Sequence, residues 1–263
     1  MAFKCWQIGL HIQQDKIVAV ALQRARSGWA LRRWWHIDLP TEYSLLTPSQ
    51  AETALVHALS AWRRELPWQH SVSLAFPVNR TLQKTLPRSA MALRDSEQAQ
   101  WIASAMAQQV EMEPAALCFD YQMSTHTDNW SVTAAQRKDV ERLQRVANAL
   151  RLHVTAITPD ASALRYFLPW LGGDADGLAW NDTTQWLWAS TSGWGSLSLN
   201  ETPSLPLLEQ RLAAGALVLC TVDNDMAPCF DPWSVIGQKY PPLPGDGDTF
   251  AVAIALAMGA QRA

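Results

Sequence analysis

Two apolar runs open the chain, Cys5 to Ile12 and Ile17 to Gln23, joined by the polar Gln13-Gln14-Asp15-Lys16. Their β-branched residues and the alternation of Val18, Val20 and Leu22 predict a β-hairpin. Trp29 to Leu39 continues as a third strand, whose Arg32, Arg33, Trp34 and Trp35 divide between two faces. Thr47 then stands as an N-cap, with Pro48 at the first helical position and Gln50 at the third. The helix that follows carries Leu55, Leu59, Trp62 and Leu66 on one stripe and ends at Pro67. Ser71 to Phe76 is the next strand. This order predicts an α/β lobe over residues 1–77.

A smaller α+β unit is expected over 78–136. Arg80 to Leu86, Phe119 to Met123 and Ser131 to Ala135 read as strands. Between the first two lies a helix bearing Trp101, Ile102, Ala105, Met106 and Val110, with Asp95 as its cap and Gln98 at the capping-box position. Residues 137–171 return to the first lobe. They hold a helix from Arg137 to Leu150 (Val140, Leu143, Val146 and Leu150 inward), a strand from His153 to Ile157, and a helix opened by Pro159 that bears Leu164, Phe167 and Leu168. The loop Gly172 to Gly177 marks the next boundary. The second lobe, 172–263, has short strands at Leu178–Asn181, Gln185–Ser190, Ser196–Leu199 and Ala216–Thr221, with a helix at Leu205–Leu212. After the proline-rich Lys239 to Pro244, Asp248 is expected to cap a final helix over 248–261. The small residues Ala251, Ala253, Ala255, Ala257 and Gly259 would let that helix approach another backbone closely, and it is a candidate to pack back on the first lobe.

Composition narrows the function classes. Of 263 residues 48% are apolar and 17% charged, enough for a large core and against long disorder. A net charge of −3 argues against a nucleic-acid-binding surface. The 14 tryptophans are read as core or interface residues. Four separated cysteines and six histidines lack the spacing of a zinc site, so no metal is expected, and the sparse cysteines suit a reducing compartment. No secretory signal is expected, and the longest apolar run, 250–260, is too short to span a bilayer. A cytoplasmic protein is expected, reaching a membrane only through a partner.

Several stretches taken in order resemble the PilM family of type IV pilus assembly proteins, in particular its short enterobacterial HofM branch. They are Thr133-Ala134-Ala135-Gln136 with the Arg137 helix, Thr158-Pro159-Asp160-Ala161-Ser162-Ala163-Leu164, Phe119-Asp120-Tyr121-Gln122, Asp231-Pro232-Trp233, and Asp248 to Gly259. The resemblance implies an α/β actin-like (ribonuclease H-like) fold of two lobes with a small inserted subdomain and a reduced second lobe. It also implies a non-catalytic adaptor at the inner membrane. Such an adaptor binds the N-terminal cytoplasmic tail of a PilN/HofN-like bitopic membrane protein and is associated with pilus-dependent DNA uptake. Two alternatives stay open: an actin-like ATPase with a divergent site, and the actin-like cytoplasmic domain of a type II secretion component.

Where the family reads Ile-Asp-Ile-Gly-Ser at its first phosphate hairpin, this chain has Ile8-Gly9-Leu10-His11-Ile12, without the Asp that holds metal or the Gly that admits phosphate. At the second hairpin Trp180 stands for a carboxylate and Asp182 for a glycine. The adenosine loop Leu219 to Asn224 lacks Gly-Gly, and Gly193 to Leu217 is too short for the subdomain that closes over nucleotide. No catalytic residue, metal or cofactor is expected. Asp120 and Asp160 read as turn or cap residues, His11 and His153 as core histidines. The resemblance places the tail in a groove between first lobe and insert, with Phe76, Asn79, Arg80, Arg88, Asp120 and Tyr121 as candidate contacts.

Overall fold

A computed structural model of the chain describes residues 5–89, 91, 93–123, 128–212, 215–223 and 228–259. Along the chain these form β1 (Trp6–Ile12), β2 (Lys16–Ala25), β3 (Gly28–Asp38), α1 (Pro48–Glu65), β4 (His70–Phe76), β5 (Thr81–Pro87), α2 (Asp95–Val110), β6 (Leu117–Met123), β7 (Asn129–Gln136) and α3 (Arg137–Ala149). Then follow β8 (Val154–Pro159), α4 (Asp160–Ala163), β9 (Gly177–Asn181), β10 (Gln185–Ser190), β11 (Trp194–Ser198), α5 (Leu205–Leu212), β12 (Leu217–Cys220), β13 (Cys229–Phe230), β14 (Ile236–Gln238) and α6 (Ala251–Gly259). Two compact units result, one of residues 1–78 with 146–263, the other of 79–145.

The larger unit holds two sheets, ordered β14-β3-β2-β1-β4-β8 and β11-β10-β9-β12-β13. β1 pairs antiparallel with β2 and parallel with β4, which pairs parallel with β8. Trp34 and Trp35 show how the first sheet is covered. As neighbours on β3 they point to opposite faces. Trp35 meets Trp62 of α1 edge-on, with ring centroids 6.1 Å apart, while Trp34 meets Phe250, just ahead of α6, at 5.7 Å. α1 and α6 therefore lie on opposite faces, which explains why β1 is buried from Gln7 to His11. Ala51, Leu55, Leu59 and Trp62 form the buried stripe of α1, and the Gln50 carboxamide accepts from the Thr47 N–H at 3.0 Å. α6 is buried at every residue from Ala251 to Ala257, as a helix apolar all round must be.

In the smaller unit β7 lies between β5 and β6, antiparallel to both. Alternation splits this sheet. Leu86, Leu117, Val132 and Ala134 bury with Ile102, Met106 and Ala107 of α2. The other face carries Gln83, Thr133 and Asp120 in one row and Thr85, Ser131 and Gln122 in the next.

Local expectations fail at four points. The α2 capping box sits one residue earlier than Asp95–Gln98: Arg94 is the N-cap and its N–H donates to the Glu97 carboxylate at 2.9 Å. The helix expected after Pro159 is one α turn followed by a 3-10 segment, Leu164–Trp170, which contains Pro169. His153 is exposed rather than core. Asp248 does not cap the final helix: it lies inside a 3-10 turn, Gly247–Phe250, and its carboxylate accepts from the Thr221 hydroxyl at 2.9 Å and from the Val222 N–H.

Candidate functional site

The hairpin β1–β2 and the hairpin β9–β10 bring His11 and Trp180 together, edge to face at 5.9 Å. Both are buried, with 5% and 3% exposure. The Gln13 amide reaches His11 Nδ1 at 3.2 Å and the Thr249 carbonyl at 3.2 Å, tying the first hairpin to the turn before α6. Gln13 Nε2 is a donor, so Nδ1 accepts and the imidazole proton sits on Nε2. Burial lowers the His11 pKa to about 4, against the opposing field of Asp182, and the ring is neutral at physiological pH.

Gly9 lies two residues earlier, on the same face of β1 as His11. A Cβ there would stand 1.9 Å from the Ala253 carbonyl oxygen and 2.8 Å from the Ala257 nitrogen. The α6 backbone thus occupies the space into which a side chain at position 9 would project. Gly9 serves helix packing, and a carboxylate at this position has no room.

Asp182 is committed to its own turn. Its Oδ1 accepts from the Thr184 N–H at 2.6 Å, the Thr184 hydroxyl at 2.8 Å and the Gln185 N–H at 2.8 Å. This Asx arrangement shapes the β9–β10 connection. Asp160 is 4% exposed, and its Oδ1 accepts from the N–H groups of Val78 at 3.1 Å and Ala161 at 2.7 Å. Burial raises its pKa to about 7, opposed by those two N–H donors. It joins the exit of β4 to α4. Of the adenosine-loop segment, Leu219 to Asp223 are described, and its Thr221 and Val222 bind Asp248 as above; Asn224 falls outside the described residues. Among the described residues no group of three or more His, Cys, Asp or Glu could hold a metal ion.

The six candidate tail-binding residues are distributed over both units. Phe76 ends β4 with its ring buried, 3% exposed. Asn79 and Arg80 are exposed in the turn Val78–Arg80, and Arg80 pairs with Asp139 at 3.6 Å. Arg88, just past β5, pairs with Asp128 at 3.2 Å. Eight residues of extended chain separate the two arginines, about 26 Å, so no single pocket holds both. Asp120 is exposed on the polar face of its sheet. Tyr121 packs with Phe119 and Trp130, at 6.3 and 5.3 Å, against the α2 core.

No family model matches the chain. A protein of Escherichia coli (strain K12), the DNA utilization protein HofM, is 43% identical over 98% of this chain and 99% of its own length. The chain belongs to the HofM family. Solved structures extend this to the fold. A PilM-PilN type IV pilus biogenesis complex superposes with TM-score 0.70 at 13% identity, over 97% of this chain and 98% of the matched one. The cytoplasmic domain of EpsL, an inner-membrane component of the Vibrio cholerae type II secretion system, gives 0.60 at 11% identity, over 96% and 93%. The fold of this HofM-family chain is accordingly the actin-like α/β fold, and it resembles PilM. In that frame the Gly9–His11–Trp180 cluster stands where the two phosphate hairpins were expected. Sequence reasoning noted each lost residue but missed what fills the space. The alternating alanines of α6 were the available signal, without any indication of which strand they face.

Among the described residues no helix is long and apolar enough to cross a membrane.

Proposed function

We propose that this chain is a non-catalytic adaptor of a type IV pilus inner-membrane assembly complex. It works on the cytoplasmic side and is held at the membrane by a PilN/HofN-like bitopic protein whose N-terminal tail it binds. Kinship with HofM, and the likeness of fold to a chain of the PilM-PilN complex, support the adaptor class. The observation that carries the non-catalytic part is the α6 backbone against Gly9, which excludes a metal-holding carboxylate from the first hairpin. Neutral His11 and buried Trp180 add no positive charge to balance phosphate. Service in DNA uptake belongs to the same proposal and rests on the HofM kinship alone.

The tail contacts we propose are Asn79, Arg80, Arg88 and Asp120 of the smaller unit; Tyr121, on the α2 side of the sheet, and Phe76 are core residues, each of its own unit. An extended peptide recognised through main-chain hydrogen bonds needs polar groups spaced along a strand, and the Gln83, Thr85 and Asp120 face of the β5-β7-β6 sheet supplies them. Calorimetry with a synthetic HofN-like tail tests this. Asn79→Ala and Arg80→Ala should each weaken binding and leave Tm nearly unchanged, because both side chains are exposed. Wild-type affinity in both variants rejects these contacts, and a wild-type chain that ignores the tail rejects the adaptor.

A further inference from the structure

The large sheet of the first unit is electrically uneven from end to end. Trp6 pairs with His70, and the Trp6 N–H donates to the Gln69 carbonyl at 3.1 Å, so the loop after α1 lies beside the start of β1. Arg24 pairs with Trp29 at the tip of the β2–β3 hairpin, beyond that same end. The Val72 N–H donates to the His153 carbonyl, and Arg63 Nε donates to the Leu150 carbonyl at 2.9 Å, which brings Arg151 and the last turn of α1 there too. The three segments 24–28, 63–70 and 151–153 carry five arginines (24, 26, 63, 64, 151) and one acid, Glu65. Arg33 neutralises that acid at 2.9 Å. Asp15, Asp38 and Asp160 lie at the opposite strand ends. In a chain of net charge −3 this is a concentrated basic surface.

On the segment between α1 and β4, Trp68 is 91% exposed. It does not hang on a loose loop: His70 Nδ1 bonds the Pro67 carbonyl at 2.7 Å, and Gln69 is bonded to Trp6. A single exposed tryptophan is ordinary on a protein surface, and its setting among cations is what singles this one out. A protein interface accommodates arginine beside aromatics but is depleted of charge at its core, whereas five arginines against one neutralised acid leave these segments strongly positive. Of the exposed large apolar residues described, Trp68 is the one on these segments, which it shares with the five arginines. An amphipathic indole among cations suits the headgroup depth of an anionic bilayer.

We propose that this end of the first unit docks directly on an anionic phospholipid surface, with Trp68 entering the headgroup layer and Arg24, Arg26, Arg63, Arg64 and Arg151 facing lipid phosphates. The contact is separate from tail binding, and failure of the tail calorimetry leaves it standing. Flotation of the full chain with phosphatidylglycerol–phosphatidylethanolamine vesicles, against phosphatidylcholine vesicles, tests it. Binding should require phosphatidylglycerol and weaken with salt. Each neutralised arginine should lower partitioning about fivefold, so the triple variant Arg26→Ser, Arg64→Gln, Arg151→Gly should lose about a hundredfold. Arg151 has φ +52°, a conformation glycine accepts, and Arg26 and Arg64 are exposed, so the fold should survive. Trp68→Ser should weaken binding without shifting Tm. A second triple, Lys138→Gln, Arg142→Gln and Arg211→Gln, makes the same change in net charge elsewhere and should bind like wild type. Failure of wild type to float with anionic vesicles overturns the proposal. So does an equal loss in both triples, or retention of binding by Trp68→Ser together with the first triple.

Discussion

Replacing Gly9 by alanine adds one methyl group and places it against the α6 backbone. The new Cβ would sit 1.9 Å from the Ala253 oxygen, and 2.8 Å from both the Ala253 carbonyl carbon and the Ala257 nitrogen. Ordinary carbon contacts begin near 3.4 Å, so the helix must retreat by roughly 1.5 Å or the strand must bend away. No side chain can rotate to relieve this, because every obstructing atom is main chain. Overpacking in a rigid core costs about 1–3 kcal/mol, and the lack of a flexible neighbour puts Gly9→Ala at about 3 or above. For a chain of this size that is a fall in Tm of about 6–12 °C. Thermal and urea unfolding read by tryptophan fluorescence should report it. Two controls sharpen the result. Ala253→Gly should not rescue Gly9→Ala, since glycine keeps the same carbonyl. Gly172→Ala, where an added Cβ meets nothing within 4 Å, should stay within about 0.5 kcal/mol of wild type. Wild-type stability in Gly9→Ala would refute the seating of α6 on β1, and with it the reason given for the missing carboxylate.

Two further outcomes follow from the same cluster. Mg-ATP should leave Tm where magnesium alone leaves it, whereas a nucleotide at about 100 times its Kd would add about 2.7 kcal/mol; a reproducible rise of several degrees would sink the non-catalytic reading. Asp160→Asn should alter the pH dependence of stability. The folded pKa of Asp160, about 7, lies above its ordinary 3.8, so its protonated form favours the fold below pH 3.8 and that contribution fades as pH rises through 7, by up to about 4 kcal/mol. Asparagine keeps the acceptor for Val78 and Ala161 without the charge, and should unfold later than wild type at pH 8 but close to it at pH 4. Earlier unfolding of Asp160→Asn at pH 8 would contradict the buried-carboxyl account.

Much of the first unit was legible from local pattern. The hairpin β1–β2, the strand β3 and the capped helix α1 appear within a residue or two of their expected bounds, since period, cap and proline are short-range signals. The stripe Leu55–Leu59–Trp62 needs only the 3.6-residue repeat to announce itself. β14 went unseen because three residues, Ile236–Gln238, carry no period; their strand character comes from pairing with β3. The α2 cap was displaced because acidic residues at both 95 and 97 offer competing boxes, and Glu97 makes the bond.

What the sequence determined by itself was the alternation of strands and helices, the absence of a phosphate-binding glycine and carboxylate at either hairpin, and, through kinship, the family. Residue identity is enough for those, because each is a statement about which groups are present. Only the tertiary structure decided why they are absent. Gly9 could equally be a flexible turn residue, a site for ligand approach or a packing site until α6, more than 240 residues later, is seen lying on it. Asp248 changes from helix cap to strand anchor, and His11 becomes a neutral buried ring, by contacts that join segments distant in the chain. Burial, and with it the pKa of His11 and Asp160, depends on what covers a residue from outside its own segment, which no local pattern records.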